Sequence, residues 1–260
     1  MGFIYVHVSL GALNLAASEL SPFNAMKSCG RGQISAIDKR STVTLRSGQK
    51  IQLALILEPA LANHAKSDLS AYLQRYIGQN ITLKCDGKRQ NRDGSLVAQI
   101  FTENGAWVQA GIITRGLAFV FADSAHKTAM TALQQLESEA RQNRRGLWVG
   151  QYYEDIAHDD LPADNNFMII QGRVTNVTDR KKQVYINFGD DWNRDFTVQI
   201  LAPHKKRFTN QIHEGRALSI KALQGELVEV RGYITWRGGP FMTLSRPENI
   251  RVLKYNVTAK

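Results

Sequence analysis

Along residues 33–57 apolar and polar positions alternate and then run together, in QISAIDKRSTVTLRSGQKIQLALIL. The pattern breaks at Asp38–Ser41 and again at Ser47-Gly48. Runs of this kind read as strands, and the second break, RSGQK, reads as a hairpin turn. The period then changes. HAKSDLSAYLQRYIG carries Ala65, Leu69 and Leu73, with Tyr72 and Tyr76, at helical spacing, and Gly78 supplies a helix stop. Two further strands follow, with Asp86-Gly87 and Asp93-Gly94 in the loop between them and Asn104-Gly105 after the second. AWVQAGIITRG reads as a short helix. DSAHKTAMTALQQLESEARQNRRGLW reads as a long amphipathic one, with Ala129, Leu133, Leu136 and Ala140 on one face. It opens at Asp123 or Ser124 and stops at Gly146. The order β-β-β-α-β-β-α-α predicts a small antiparallel barrel with helices packed on it.

The second half alternates again through MIIQGRVTNVT, KQVYINFG and DFTVQIL. A helix or loop, HKKRFTNQI, comes next, then ELVEVRGYITWRGGPFMTLSRP and NIRVLKY. Five short strands with a helix after the third is the plan of an oligonucleotide/oligosaccharide-binding (OB) barrel. Tyr185, Phe188, Tyr233 and Trp236 suit the binding surface of such a barrel or fill its core. The predicted fold is therefore α+β and mainly β: a five-stranded OB-type barrel with packed helices, then a second OB-like barrel.

Charge divides the chain in the same way. The net charge of +10 is made of +7 in residues 30–150, +8 in residues 165–260 and −5 between them. Between them QYYEDIAHDDLPAD, residues 151–164, has five acidic residues and no Lys or Arg, and reads as a linker. Residues 1–29 form a separate N-terminal segment. Its apolar run Phe3–Ala17 and the small residues Ala16-Ala17-Ser18 fit a signal peptide, although no Lys or Arg precedes the run. A cleaved leader would make the protein periplasmic or secreted. A first strand or helix in its place would leave it cytoplasmic. No transmembrane segment is expected, because no run of about 20 apolar residues exists. Cys29 and Cys85 are too few for a disulfide scaffold or a structural zinc site; they form one bridge or stay as two buried thiols.

A basic surplus makes polyanions plausible partners. The cations cluster in KRQNR (Lys88, Arg89, Arg92), RQNRR (Arg144, Arg145), DRKK (Arg180, Lys181, Lys182) and HKKR (Lys205, Lys206, Arg207). Each alone reads as a solvated surface. Together, on two OB-type barrels with Tyr185 and Trp236, they point to nucleic-acid contact through phosphates and stacked bases. No other chemistry stands out. The six histidines form no zinc-spaced pair, and no phosphate-cradling glycine loop is present. HDD (His158–Asp160) and GDDW (Gly189–Trp192) read as solvated linker and turn, and RGG (Arg237–Gly239) as a hairpin turn.

Residues 30–150 resemble a staphylococcal-nuclease-type (thermonuclease) domain. The resemblance is carried by STVTL, IQLALILEPA, RDGSLVAQIF, WVQAGIITRGLAFV and LESEARQNRRGLW, whose final Arg-Gly-Leu-Trp is the most distinctive piece. Residues 165–255 resemble the extra C-terminal module of some bacterial thermonuclease-family proteins. The resemblance implies calcium-assisted attack of water on a phosphodiester, with two aspartates on the metal, a glutamate by the water and two arginines on the phosphate. Oxygen ligands hold Ca²⁺, and guanidinium forks stabilise the transition-state charge.

Carried over one by one, those positions are replaced. One metal aspartate falls on Ser41 and the other on Leu57. The arginines fall on Gln52 and Ser95, and the glutamate on Ala60. Glu58 stands one residue from the metal position. Alternation in an extended segment turns it away from the side that Leu57 faces, hence away from the site. The expected protein is thus a pseudoenzyme, a thermonuclease-like nucleic-acid-binding or interaction module with no metal site and no cofactor. The alternatives are a divergent active nuclease, which would need Ca²⁺, and a structural subunit that binds a protein partner.

Overall fold

The computed structural model describes residues 26–58, 68–86, 90–122, 129–149, 153–155, 167–191, 193–208, 211–213 and 216–253. The N-terminal leader candidate, Ala60, Lys88, Arg89, the first turn of the expected long helix and the HDD triplet lie outside them. Among the described residues no helix is long and apolar enough to cross a membrane.

The first barrel takes strands β1 (Lys27–Ile37), β2 (Val43–Leu45) and β3 (Lys50–Leu53) in succession. The RSGQK turn joins β2 to β3, with Gly48 at φ +83° and its N–H on the Leu45 carbonyl. A short β4 (Ile56–Leu57) and helix α1 (Leu69–Gln74) follow, then β5 (Asn80–Cys85) and β6 (Leu96–Thr102). The barrel closes in the order β1-β2-β3-β6-β5. All pairs are antiparallel except β3 with β6, where Gln52 lies beside Val97. The alternation along KIQL puts Ile51 and Leu53 inside and Lys50 and Gln52 outside. Cys29 and Cys85 form a disulfide between β1 and β5, with Cα atoms 5.8 Å apart, which decides the alternative that the sequence left open.

Helices α2 (Val108–Thr114) and α3 (Met130–Gln142) cover the barrel, with β7 (Phe119–Val120) paired to β4. Buried Gln109 accepts from Ile100 N and donates to Ala98 O, so it satisfies the backbone of β6 where a helix covers it. The expectation that Gly146 ends the long helix needs correction. The helix ends at Gln142, and Arg144 takes the left-handed position at φ +49°. Arg145 N bonds Ala140 O and Arg144 N bonds Arg141 O, the two reverse bonds of a Schellman motif. Gly146 serves another purpose. Leu147 N bonds Gly116 O, and a Cβ on Gly146 would lie 2.4 Å from the carbonyls of Arg115 and Gly116. The Arg-Gly-Leu-Trp motif is therefore a backbone-on-backbone clasp that seats Leu147 and Trp148 in the core.

The second half repeats the plan. After β8 (Tyr153–Asp155), one bent segment forms β9 (Phe167–Arg173) and β10 (Asn176–Asp179). Strands β11 (Gln183–Asn187) and β12 (Thr197–Leu201), helix α4 (Ala202–Phe208) and a small hairpin of β13 (Gln211–His213) and β14 (Arg216–Leu218) come next. Then β15 (Leu227–Arg237), β16 (Gly239–Leu244) and β17 (Ile250–Val252) complete it. The curled sheet runs β10-β11-β12-β16-β15-β9-β8, with β17 also on β15. The sheet curls as a half-barrel rather than closing, so the second barrel expected from the sequence is an open one. Two of its pairs are parallel, β8 with β9 at the edge and β12 with β16, the latter matching β3 with β6 of the first barrel. Both halves thus share the OB strand order. The inner face is apolar, with Val184, Ile186, Val198, Ile200, Val230 and Met242.

The two barrels are joined by a buried seam. Leu57, Phe119 and Trp148 of the first pack with Phe167 and Ile169 of the second. Beside them α3 offers Glu137 and Arg141 to Glu229, Arg231 and Arg251. Arg141 pairs with Glu137 (2.9 Å) and Glu229 (2.6 Å), and Arg231 pairs with Glu137 (2.9 Å) and Glu229. Arg251 adds a contact to Glu229 at 3.0 Å. Arg231 also donates to Val120 O at 2.6 Å, and Asn249 makes a two-way amide pair with the backbone of Ala122. Burial alone would raise the Glu229 pKa; Arg231, Arg141 and Arg251 outweigh it and hold the carboxyl well below its ordinary range.

Candidate nucleic-acid interface

Two surfaces carry the candidate residues. The first is the corner where β1 turns into β2 and β4 ends. Asp38 accepts from the N–H groups of Arg40 and Thr42, both at 2.8 Å, which fixes the turn and sets Ser41 at φ +59°. Ser41 is buried, and its Oγ donates to Glu58 Oε1 at 3.1 Å. The expectation that Glu58 faces away from this site is therefore wrong. Its alternation with Leu57 holds, but Leu57 points into the seam between the barrels, which leaves the Ser41 side to Glu58. Burial pushes the Glu58 carboxyl up; the Ser41 bond opposes this and the charge of Asp38 adds to it.

Gln52 and Ser95 are neutral, and each bonds to a residue of the β5–β6 loop. Gln52 stands exposed on β3 and accepts from the Asn91 amide. Ser95 is buried and donates to Asp93 through both its N–H (3.0 Å) and its Oγ (2.9 Å), which lowers the Asp93 pKa. Among the described residues no cluster of three His, Cys, Asp or Glu is placed to hold a metal ion. Arg92 is exposed on the same loop as Asn91 and Asp93. Arg144 and Arg145 are exposed after α3, where Arg145 Nη1 donates to Thr114 O at 3.3 Å.

The second surface is the open face of the second barrel. A cavity of about 530 Å³ is lined by Thr178, Arg180, Gln183, Tyr185, Arg237 and Phe241, among others. Tyr185 meets Phe241 edge-on, with ring centres 6.5 Å apart, and the Arg237 guanidinium lies over Phe241 at 4.9 Å. Side chains along the strands are chained together. Arg237 Nη1 reaches Gln199 Oε1 (3.5 Å), Gln199 Nε2 donates to Gln183 Oε1 (2.9 Å), and Gln183 Nε2 donates to the Tyr185 hydroxyl (2.5 Å).

The structure brings several sequence candidates to this rim. Lys181 and Lys182 are exposed in the β10–β11 turn next to Arg180. Lys205 of α4 closes on the same turn, to Asp179 Oδ1 (2.5 Å) and Arg180 O (3.0 Å). Lys206 is exposed on α4, and Arg207 turns to Ser245 O at 3.1 Å. Trp236 does not join them: it is 45% exposed, pairs in register with Pro240 and is not among the cavity's lining residues. Arg237 and Phe241 were missed in the sequence. RGG reads as a turn, and only the parallel β12–β16 register, Thr197 beside Phe241, shows which face they share. Outward alternation of Tyr185 on β11 with Thr197 and Gln199 on β12 was the available signal.

Residues 43–150 match the family model described as Staphylococcal nuclease homologue. With the closed five-strand barrel and its covering helices, they form a staphylococcal-nuclease-type domain. The match ends with the clasp after α3, before the second barrel begins. Among curated proteins, none matches the chain.

Proposed function

We propose that this protein binds nucleic acid through its barrels and does not cleave it. A staphylococcal-nuclease-type domain supports a phosphodiester-containing ligand. The observation that carries the non-catalytic half is Leu57. At the position where the resemblance implies a metal aspartate, an aliphatic side chain lies 8% exposed against Phe119, Trp148, Phe167 and Ile169. An Asp placed there would be taken out of water against those apolar side chains. The arginine positions Gln52 and Ser95 carry no charge to stabilise a transition state, and removing even one such contact lowers a rate by about 100–1000-fold. Calcium has no role in this reading, and a protein partner is not needed for it.

Filter binding of labelled single-stranded DNA and RNA, across salt concentrations, tests the binding half. Affinity falls linearly on log–log axes as salt rises, with a slope of about −0.7 per phosphate contact. No retention of either strand at about 50 mM salt would refute it.

A further inference from the structure

The outer surface of the second barrel divides along β15. At one end Glu229 and Arg231 are buried against α3 and β7 of the first barrel. Phe167 and Ile169 of the neighbouring β9 face the same seam. At the other end Arg237 emerges onto the face formed with β10, β11, β12 and β16, which holds the cavity of about 530 Å³. The docking of the two barrels therefore covers one half of this surface and leaves the other open.

We infer that this open face is a binding site for single-stranded nucleic acid, with an unpaired base stacked on Tyr185 and its phosphates met by Arg237 and Arg180. The inference rests on the nucleic-acid reading above and assigns it to one place. The cavity lies within the range of about 300–1,000 Å³ typical of ligand clefts, large enough for a splayed base. Tyr185 is half-buried, backed edge-on by Phe241, and tied through its hydroxyl to Gln183. The amide chain from Arg237 through Gln199 and Gln183 to Tyr185 sets ring and guanidinium in place before any ligand arrives. A phenol that accepts this bond keeps its own O–H to donate to a base edge.

Charge decides the class of ligand. The two ionisable cations of the lining are Arg180 and Arg237, and none of its residues is a carboxylate. Lys181, Lys182 and Lys206 continue the positive rim at the β10–β11 turn. The loop after β11, which packs against Gly238 and Gly239, carries exposed Asp190, Asp191 and Arg194. A neutral sugar would leave both guanidiniums unused. A duplex has its bases already stacked and paired, so it offers none to the ring.

Fluorescence anisotropy on the full chain tests this with three labelled probes: a 15-nucleotide single strand, the same sequence as duplex, and a sulfated oligosaccharide. Tyr185→Leu should weaken single-strand binding about 10–100-fold, the loss of one stacked base. Arg237→Gln and Arg180→Gln should each reduce the salt slope by about 0.7. Lys221→Gln, an exposed cation of the same barrel away from the cavity, should leave affinity and slope as they are. Melting curves establish that Tyr185→Leu is folded, and Arg180→Gln, in an exposed turn, keeps the test open if it is not. Equal or tighter binding of duplex or sulfated oligosaccharide overturns the assignment. Weakening by Arg92→Gln on the first barrel, with Tyr185→Leu and Arg237→Gln unaffected, overturns it while leaving nucleic-acid binding intact. Absence of single-strand binding by the unmodified protein refutes both.

Discussion

Replacing Arg231 with Met should lower the melting temperature of the whole molecule by about 5–9 °C. Arg231 is 1% exposed and holds two carboxylates, Glu137 and Glu229, together with the Val120 carbonyl. Methionine fills most of the volume but leaves those acids with Arg141 and Arg251 as cations, beside the neutral donors Val120 N and Gln171. Removing one member of a buried ion pair costs about 3–5 kcal/mol. At about 2.1 cal/mol/K per residue, the 260-residue chain unfolds with an entropy near 0.55 kcal/mol/K, which gives that range of shift. Calorimetry at pH 7 reads it directly. The pH profile gives a second readout. A carboxyl held below its unfolded value of about 4.3 stabilises fully above that pH, and the stabilisation is lost as pH falls through the folded value. Arg231 is the strongest of the cations holding Glu229 down, so the variant should lose part of the acid sensitivity expected below about pH 4.3. The reasoning fails if the midpoint moves by less than about 2 °C. It also fails if the unmodified protein melts in two separate steps, since the seam would then not couple the barrels.

Three further outcomes follow from the first barrel. Reduction of Cys29–Cys85, or the double Ser variant, should cost about 4 kcal/mol by the chain-entropy relation for a 56-residue separation, read as a fall in urea midpoint. Gly116→Ala should cost more than about 2 kcal/mol, because φ is +64° and the new Cβ would stand 2.1 Å from Arg145 O; a neutral result would refute the clasp. Glu58→Gln should melt at or above the unmodified protein at pH 7 and alongside it at pH 4. A carboxyl whose folded pKa is raised is favoured in its protonated form, so its charge opposes folding only above the ordinary value. A variant less stable at pH 7 than at pH 4, relative to the parent, would contradict the sign.

Much of each barrel is legible in period-two runs, in RSGQK and in the glycine of RDG, because those signals are local; the glycine of RGLW is not, because its clasp is on Gly116. What the periodicity could not say is what covers an outward face. LVEVRGY alternates cleanly, with Val228, Val230 and Gly232 inward. Its outward residues Glu229 and Arg231 look like a solvated strand, yet they are among the most buried charges of the molecule because α3 lies on them. Leu57 poses the same problem. Against the resemblance it stands where a carboxylate is implied; in the fold Phe167 and Ile169 of the other barrel rest on it. Glu58 was misread for this reason, since the side that Leu57 takes was assigned to the corner rather than the seam. Tyr185 was recognised, but its companions Arg237 and Phe241 lie more than 50 residues away and meet it only through the parallel β12–β16 register.

The most direct test of the account is a cleavage assay under binding conditions. End-labelled single-stranded DNA and RNA, saturated with the purified chain, are incubated with calcium or with chelator over a range of pH and resolved under denaturing conditions. The account predicts intact strands in every lane, although native gels of the same mixtures show the shifted complex. Calcium-dependent shortening of the strand that chelator abolishes would contradict it.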